Sequence, residues 1–500
     1  KLQEAEISTR KAIQLNPDFA EAYSNLGSIL SDLGKSQEAF DSYLKSIKIN
    51  PRLSNIYQHI TIFLGDSDPS LLNKLKLKDI VNLLLGRNDI SHNKLFKAFN
   101  FLYKNKFTNK INKLDRLNKL SSNIQSLSNN KIVINALKKI RFSDPELEKA
   151  LTDIRKDLCS RIIKNIEKVN QLELEFIIAL GEHCFLNEYV YSFTKEERSF
   201  IDIIINKCRD RKVDEKYIAI LSCYLPLHKL LDQIPYLKVF NSPNKSFKEL
   251  IKLQINEPLK EIELLKSIKK LGKINDNVSQ KVRSQYEESP YPRWRYGNNL
   301  EKRKLSIVEV INNEIKPNSV THNQKDRKLR VLIAGCGTGQ HILNSQTYKN
   351  AQITSIDLSG SSLSYAQRKM NELRIDNVEL IQMDILEVAL LERKFDIIEC
   401  VGVLHHLDDP SKGLRALLGV LNKDGFLKLG LYSELGRQSN TNAKSYIANQ
   451  KLESDDDGIR SFRELIFSGK VPEINLVTSS TDFYTLSSCR DLCFNVKEHR

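Results

Sequence analysis

Three alternating glycines directly follow a short apolar run in the second half of the chain. The run covers residues 330–334, and the glycines are Gly335, Gly337 and Gly339. Glycine lacks a Cβ atom, so it permits the positive φ values of a sharp turn and lets a ligand approach the backbone. A turn of this kind between a buried strand and a helix can place a nucleotide-like ligand at the start of the helix. The spacing therefore predicts a strand, a ligand-binding turn and a helix, in that order.

Two aspartates follow the next apolar runs, at the points where strands would end. Asp357 follows residues 353–356 and lies 18 positions beyond Gly339, and Asp384 follows residues 378–382. A carboxylate accepts hydrogen bonds at both oxygens, so Asp357 can hold the two hydroxyl groups of a ribose. Asp384 can meet the amino group of an adenine. A strand-end aspartate can also simply cap the next helix, and this alternative stays open for both residues.

The elements that would position these residues form a parallel α/β sheet. Short apolar runs separated by helical patterns are typical of strands covered on both faces. The predicted strands cover residues 330–334, 353–356, 378–382, 395–400 and 426–432, and a turn at residues 423–425 precedes the last of them.

This ordered set resembles the class I S-adenosylmethionine-dependent methyltransferases over about 100 residues, from Arg330 to Ser433. The resemblance implies a Rossmann-like α/β fold with S-adenosylmethionine as the cofactor. It also implies a cofactor site formed by Gly335, Cys336, Gly337, Gly339, Asp357, Leu358, Asp384, Ile385 and Val401. A nicotinamide-binding domain is the nearest rival, but its glycine spacing would need a glycine where Gln340 stands.

The residues after the fourth predicted strand limit the classes of methyl acceptor. Residues 400–403 lack the Asn- or Asp-Pro-Pro-aromatic motif that usually grips the amino group of a nucleobase. Cys400 follows Glu399 rather than a proline, which favours a buried strand cysteine over a cytosine-methylating nucleophile. His405 and His406 then lie where a loop leaves the sheet beside the transferable methyl group. Histidine titrates near neutral pH, so His405 is a candidate general base, with capping or packing as the alternative.

The N-terminus of the chain repeats with a period of 34 residues: Glu4-Ala5 recurs as Glu38-Ala39, and Asn16-Pro17 as Asn50-Pro51. The pattern resembles the tetratricopeptide repeat family, with its small, aromatic, glycine and proline positions at Ala20, Tyr23, Leu26, Gly27, Leu30, Ala39, Tyr43 and Pro51. The resemblance implies paired helices that present a concave surface to a protein partner, with a purely structural spacer as the alternative. One full repeat and half of another are visible, and we expect further repeats before Lys1.

A segment rich in proline and aromatic residues precedes the α/β region at residues 282–294. The residue before a proline favours an extended backbone, so residues 289–294 should cross the surface as a stiff strap. The segment closely resembles one that precedes the methyltransferase domain in bacterial proteins with tetratricopeptide repeats, which implies closure over the cofactor or the acceptor. A linker held by aromatic packing is the alternative. By resemblance or position, the substrate-side candidates are Tyr286, Arg293, Trp294, His406 and Tyr484.

The chain of 500 residues is long enough for several domains. We predict partial tetratricopeptide repeats at residues 1–66, an all-α middle domain at 67–280 and the strap with a linker at 281–329. The methyltransferase domain follows at residues 330–500 and is expected to be incomplete at its C-terminus. No apolar run is long enough for a membrane-spanning helix, and eight scattered cysteines indicate reduced thiols in a cytoplasmic compartment.

The formal charge of +15 raises the question of a nucleic-acid partner. Residues 330–433 carry 11 basic and 12 acidic side chains, so the excess lies in the helical regions, where lysines alternate with Asn, Ile and Leu. This pattern is typical of solvated helix faces, and we do not expect nucleic-acid binding. His183, Cys184 and Cys223 lack the spacing of metal ligands and lie in an apolar helical pattern, so no metal is predicted.

The sequence predicts an S-adenosylmethionine-dependent methyltransferase whose tetratricopeptide region recruits the acceptor or a protein partner. The acceptor remains open among proteins, glycans and small molecules, because the cofactor half of the site is what the family members share. The alternative is a non-catalytic interaction protein whose cofactor domain only binds the cofactor or is degenerate.

Overall fold

The computed structural model describes residues 1–108, 124–209, 214–297, 304–321 and 328–494. The chain divides into two compact units, one of Lys1–Gln254 with Arg295–Leu300 and one of Ile255–Trp294 with Glu301–Arg500. Residues 298–303 and 322–327 of the predicted linker lie outside the described part. Among the described residues, no helix combines the length and the apolar character that crossing a membrane requires.

The first unit is helical, and its first four helices carry the 34-residue repeat. They are α1 (Leu2–Leu15), α2 (Ala20–Asp32), α3 (Ser36–Ile49) and α4 (Ser54–Asp66). Gly27 in α2 faces Tyr43 in α3, and a Cβ atom on Gly27 would lie 2.9 Å from the tyrosine ring. A glycine is therefore needed for these two helices to approach each other, as the repeat pattern predicts.

The remaining helices of the first unit are α5 (Lys74–Leu85), α6 (Phe96–Thr108), α7 (Lys131–Lys139), α8 (Pro145–Lys164), α9 (Gln171–Leu186), α10 (Lys195–Lys207), α11 (Glu215–Leu221) and α12 (Lys245–Ile251). Asp144 begins α8 by accepting hydrogen bonds from the amides of Glu146 at 2.9 Å and Leu147 at 3.1 Å. This is the helix start expected of an aspartate followed by a proline.

The middle helices enclose an apolar core that contains His183. The side chain is fully buried, its Nε2 atom lies 2.8 Å from the hydroxyl of Tyr191, and burial lowers its pKa to about 4. Cys184 and Cys223 are buried as well. Within the described residues, no group of three or more His, Cys, Asp or Glu side chains has an arrangement suited to a metal ion.

The second unit contains a six-stranded sheet in which every neighbouring pair is parallel. Its strands are β1 (Lys269–Lys270), β2 (Leu329–Ala334), β3 (Ala351–Asp357), β4 (Val378–Gln382), β5 (Phe395–Val401) and β6 (Leu421–Gly430), in the order β1-β4-β3-β2-β5-β6. The helices are α13 (Glu257–Leu265), α14 (Asn277–Glu288), α15 (Ile307–Glu314), α16 (Gln340–Ser345), α17 (Gly360–Glu372), α18 (Pro410–Val420), α19 (Gln438–Asn449), α20 (Asp456–Phe467) and α21 (Leu486–Cys493).

Both faces of the sheet are apolar and covered. Val331 and Ile333 of β2 pack in one core with residues of α16 and α17, whereas Leu332 and Ala334 pack in a second core with residues of α18. Successive side chains of a strand point to opposite faces, so a continuous apolar run can supply both cores. The predicted fold class, a helical repeat region followed by a Rossmann-like α/β domain, is thus confirmed.

The sheet differs from the prediction at both edges. The last strand begins at Leu421 rather than at residue 426, because Leu421 pairs with Phe395 before a shift in register brings Phe426 opposite Ile397. The predicted turn at residues 423–425 is therefore an irregularity within β6. The short strand β1 is not apparent in the sequence, since two exposed lysines carry no strand pattern.

Candidate active site

The order of the strands creates a crevice at the carboxyl edge of the sheet. From the central strand β2 the chain moves outward through β3 and β4 on one side and then returns to β5 and β6 on the other. Ligands of parallel α/β sheets bind where the direction of winding reverses in this way. A cavity of about 400 Å³ lies here, lined by residues that follow β2, β3, β4, β5 and β6.

The cavity brings together ten of the predicted site residues, which are Tyr286, Gly335, Cys336, Gly337, Asp357, Leu358, Asp384, Ile385, Val401 and His406. Its lining does not include Gly339, Arg293, Trp294, His405 or Tyr484. Residues that sequence reasoning missed also line it, among them Tyr291, Pro292, Gln340, His341, Met383, Val403, Tyr432 and Asp491.

The glycine turn has the backbone that its composition predicts. Gly335, Gly337 and Gly339 all have positive φ values, of 79°, 51° and 88°. A Cβ atom on Gly335 would lie 2.2 Å from Val403, and one on Gly337 would lie 2.7 Å from the carbonyl oxygen of Tyr291. Gly339 serves packing, because its Cβ position lies 2.9 Å from the side chain of Ala366 in α17.

Asp357 is held at the end of β3 by two backbone amides. Its Oδ2 accepts a hydrogen bond from Gly337 at 2.8 Å, and its Oδ1 accepts one from Ser359 at 2.9 Å. Each carboxylate oxygen has two acceptor positions, so one on each remains for a ribose hydroxyl. Burial raises the pKa of Asp357 to about 6, against the opposing effect of the backbone hydrogen bonds.

Asp384 caps a short helix and also lines the cavity. Its carboxylate accepts a hydrogen bond from the Leu386 amide at 3.0 Å and caps the short 3-10 helix Ile385–Leu391. The residue also lines the cavity, with Met383 and Ile385 as apolar neighbours on either side. This arrangement provides a polar group between two apolar side chains, as an adenine ring would require.

The strap lies against the glycine turn. Thr338 donates its hydroxyl hydrogen to the carbonyl of Pro292, and its own carbonyl accepts a hydrogen bond from the Trp294 indole at 3.1 Å. Tyr291 and Pro292 consequently form part of the cavity wall, whereas Trp294 packs against Tyr365 outside the lining. Aromatic packing thus holds a strap that borders the cavity, and its closure over a cofactor or acceptor stays a prediction.

Helix α14 is fixed to the start of α17 by Glu287. The carboxylate accepts hydrogen bonds from the amides of Gly360 and Ser361, both at 2.9 Å. The hydroxyl of Ser359 also donates to the carbonyl of Tyr286 at 2.9 Å. Sequence analysis missed Glu287, although a carboxylate at a helix N-terminus is favourable wherever the chain brings one there.

A polar cluster at the cavity involves residues far apart in the sequence. The hydroxyl of Tyr286 donates to Asp491 Oδ1 at 2.5 Å, and His406 Nε2 lies 3.8 Å from the same oxygen. His405 lies behind this cluster, with its Nε2 3.1 Å from Nε2 of His406 and its ring packed at a tilt against Tyr432, the ring centres 4.1 Å apart. Burial and the neighbouring Asp491 raise the pKa of Tyr286 well above its usual value, so the phenol is a neutral donor.

Tyr484 lies away from this cluster, where its hydroxyl donates to the carbonyl of Thr478 at 3.1 Å. Its ring packs against Phe467 and Phe483 in the helical C-terminal region. Cys400 is 1% exposed, and burial raises its pKa to about 12, which makes its thiol a poor nucleophile. All eight cysteines are free and buried.

Comparison with family models identifies two parts of the chain. Residues 325–464 match a model described as a methyltransferase domain, and residues 9–41 match a model described as a tetratricopeptide repeat. The first range contains the glycine turn, both aspartates and His406, but Tyr286 and Asp491 lie outside it.

Several relatives share this region. An uncharacterized protein of Synechococcus is 36% identical over 170 residues, which are 33% of this chain and 40% of that protein. A ubiquinone biosynthesis O-methyltransferase of Albidiferax ferrireducens is 29% identical over 109 residues, which are 22% of this chain and 42% of the enzyme. Both matches therefore span less than half of the relative's length.

Among solved structures, PKMT2 from Rickettsia typhi in complex with AdoHcy is similar with 25% identity and a TM-score of 0.26, covering 31% of this chain and 32% of that one. The family match and the nucleotide-sized cavity at the switch point of a parallel sheet agree with each other. The chain thus contains a Rossmann-like, S-adenosylmethionine-dependent methyltransferase domain, together with a tetratricopeptide repeat near its N-terminus.

Proposed function

We propose that the chain is an active enzyme, which binds S-adenosylmethionine in the cavity of the second unit and transfers its methyl group to an acceptor. The observation that supports this most directly is the position of Asp357. Its two oxygens keep acceptor positions for the ribose while the glycine turn lies next to them, 2.8 Å away at the Gly337 amide. In this arrangement the carboxylate of Asp384 accepts a hydrogen bond from the adenine amino group, and Val401 lies beside the cofactor.

The chemistry requires alignment more than activation. The sulfonium of S-adenosylmethionine already makes the methyl group electrophilic, so the protein mainly has to place acceptor, methyl carbon and leaving sulfur in line. A base is needed only when the acceptor must lose a proton before it attacks. His406 lines the cavity and meets the positional requirement, whereas His405 supports it from behind.

Cofactor binding is tested by calorimetry with S-adenosylhomocysteine. We expect Asp357→Ala to weaken binding by at least about tenfold, since two charge-assisted hydrogen bonds to the ribose are lost. Asp424→Asn, which removes an exposed carboxylate of β6, should bind like the unmodified protein. Equal affinities for the unmodified protein and Asp357→Ala would contradict the proposed cofactor site.

Turnover is tested by incubating the protein and S-adenosylmethionine carrying a tritiated methyl group with cell lysate. A labelled species supports the enzyme, and its size sorts protein, glycan and small-molecule acceptors. If calorimetry shows binding but no species of any size is labelled, the non-catalytic alternative replaces the proposal.

We also propose that the tetratricopeptide region recruits the acceptor or a protein that delivers it. Such repeats bind partners on a concave surface, which depends on the packing of paired helices. Gly27→Val places methyl groups against Tyr43, so it should raise the KM for the labelled acceptor and leave cofactor affinity unchanged. Asn25→Ala, on an exposed position of α2, is the control. An unchanged KM for Gly27→Val would count against recruitment.

A further inference from the structure

The polar cluster at the cavity is built largely from outside the methyltransferase match. Tyr286 belongs to α14 and Asp491 to α21, whereas the family match covers residues 325–464. We propose that Asp491, oriented by Tyr286 and assisted by His406, binds an amine as the methyl acceptor. This inference rests on the proposed methyltransferase activity and names the chemical class of its acceptor.

The side chain of Asp491 is held in a fixed orientation at the cavity. Its side chain is almost fully buried, with 5% exposure of the residue, and yet it lines the cavity. The hydrogen bond from Tyr286 at 2.5 Å holds Oδ1 in place. Burying an unpaired carboxylate costs free energy. Because Asp491 faces the cavity, a cationic ligand bound there would pair with it and offset this cost.

The charges of the residues that line the cavity also favour a cationic acceptor. Three carboxylates line it, at Asp357, Asp384 and Asp491, and the described lining contains neither lysine nor arginine. The first two aspartates suit the ribose and the adenine of the cofactor. Asp491 is the third of these carboxylates, and we assign it to the binding of the acceptor. An anionic acceptor, such as a carboxylate or a phosphate, would approach this group against electrostatic repulsion.

Aromatic rings complete a site for an ammonium group. Tyr286 and Tyr291 line the cavity, and so does Tyr432, whose ring already contacts His405 and the guanidinium of Arg437. The face of an aromatic ring attracts a cation, and a carboxylate beside such rings discriminates an ammonium from a neutral hydroxyl group.

The reaction balances with the groups present. The bound ammonium first loses one proton to water, while Asp491, 3.8 Å from His406 Nε2, holds the nitrogen in place. The nitrogen lone pair then forms the N–CH₃ bond while the S–CH₃ bond breaks, and its electrons remain on sulfur. The products are a methylated ammonium and neutral S-adenosylhomocysteine.

The first experiment measures the preference of the site for an amine without knowledge of the acceptor. Sinefungin is a cofactor analogue with an amine-bearing carbon in place of the methylated sulfur, so its ammonium lies at the acceptor side. Calorimetry should show that the full chain binds sinefungin about tenfold more tightly than S-adenosylhomocysteine, the effect expected of one charge-assisted hydrogen bond.

The variants assign that preference to particular residues. Asp491→Asn keeps an acceptor for Tyr286 but loses the charge, so it should bind both compounds equally. Tyr286→Phe should reduce the preference about threefold while the affinity for S-adenosylhomocysteine is kept, because only the orientation of Asp491 is relaxed. Asp424→Asn, which removes an exposed carboxylate of β6, should retain the full preference.

The outcomes separate this inference from the proposed function. If the unmodified chain binds neither sinefungin nor S-adenosylhomocysteine, the proposed cofactor site itself is refuted. Binding of both compounds with no preference, or with a preference that Asp491→Asn retains, would overturn the amine-binding role alone.

The second experiment identifies the bond that carries the label. Tritium-labelled species from the lysate are hydrolysed in acid and separated by cation exchange, where methylated amines are retained. Retained label supports the inference, and the size of the species before hydrolysis distinguishes a free amine from an amine on a protein. Label released by base as methanol, or found in a methyl ether, contradicts the inference while leaving methyl transfer intact.

Discussion

Asp357 links cofactor binding to pH at the scale of a single residue. Its pKa is raised to about 6 by burial, but the ribose hydroxyls need the ionised carboxylate as acceptor. We therefore expect the affinity for S-adenosylhomocysteine to be constant above pH 7 and to fall about tenfold per pH unit below pH 6. Calorimetry between pH 5 and pH 8 measures this dependence.

The raised pKa of Asp357 also makes the stability of the fold depend on pH, but in the opposite direction to cofactor binding. The folded protein holds the proton of Asp357 more tightly than the unfolded chain, whose carboxyl has the ordinary value of 3.8. This group therefore stabilises the fold fully below about pH 4, and its contribution is lost as the pH rises through 6. Asp357→Asn should remove both dependences, and it should lower the free energy of unfolding at pH 7 by about 1 kcal/mol because its amide nitrogen cannot accept the second backbone hydrogen bond. A steep pH dependence of binding in this variant would contradict the assignment.

At the scale of elements, Glu287 fixes α14 to α17. Burial opposes its ionisation, but hydrogen bonds from Ser361 and Gly360 outweigh this and hold its pKa below the usual value. Glu287→Gln should lower the free energy of unfolding at pH 7 by about 1 kcal/mol. The difference from the unmodified protein should vanish as the pH falls below the lowered pKa. Chemical denaturation measures it, with Asp424→Asn, at an exposed carboxylate of β6, for comparison. Equal losses in the two variants would contradict a specific role.

The contact between the strap and the glycine turn gives a second prediction for elements. Gly337→Ala would force its Cβ atom to 2.7 Å from the Tyr291 carbonyl and displace the cavity wall. We expect cofactor affinity to fall at least about tenfold, and stability by about 1 kcal/mol because of the positive φ. Gly419→Ala in α18, whose Cβ would meet no atom within 4 Å, is the matched control. Unchanged affinity in Gly337→Ala would show that the strap does not shape the site.

At the scale of the whole molecule, we expect cofactor binding to be confined to the second unit. The residues that line the cavity, the first of them Ser279 and the last Asp491, all belong to the second unit. Saturating S-adenosylhomocysteine should therefore slow hydrogen exchange in peptides that cover α14, the glycine turn and the ends of β3 to β5. At about 100 times Kd the ligand adds about 2.7 kcal/mol of stability to what it binds. Mass spectrometry locates the protection, Asp357→Ala is the control, and protection centred on residues 1–66 would contradict this division.

Sequence alone was sufficient for the local units of this protein. The repeat at the N-terminus, the strand followed by the glycine turn and the aspartates at the strand ends are all readable in short segments. The reason is that a turn of positive φ, a buried parallel strand and a helix cap each depend on residues a few positions apart. The starts of β2 and β5 were predicted to within one residue, because continuous apolar runs mark buried strands.

Only the tertiary structure decided which distant groups meet. Tyr286 and Asp491 are 205 residues apart and belong to helices whose local patterns give no sign of a shared site. The strand β1 forms because it pairs with the free edge of β4. The strand β6 begins earlier than predicted because Leu421 pairs with Phe395 of β5. In each case the stabilising partner is remote in sequence. The proposed cofactor residues therefore follow from local pattern, whereas the polar cluster of Tyr286 and Asp491 depends on long-range packing.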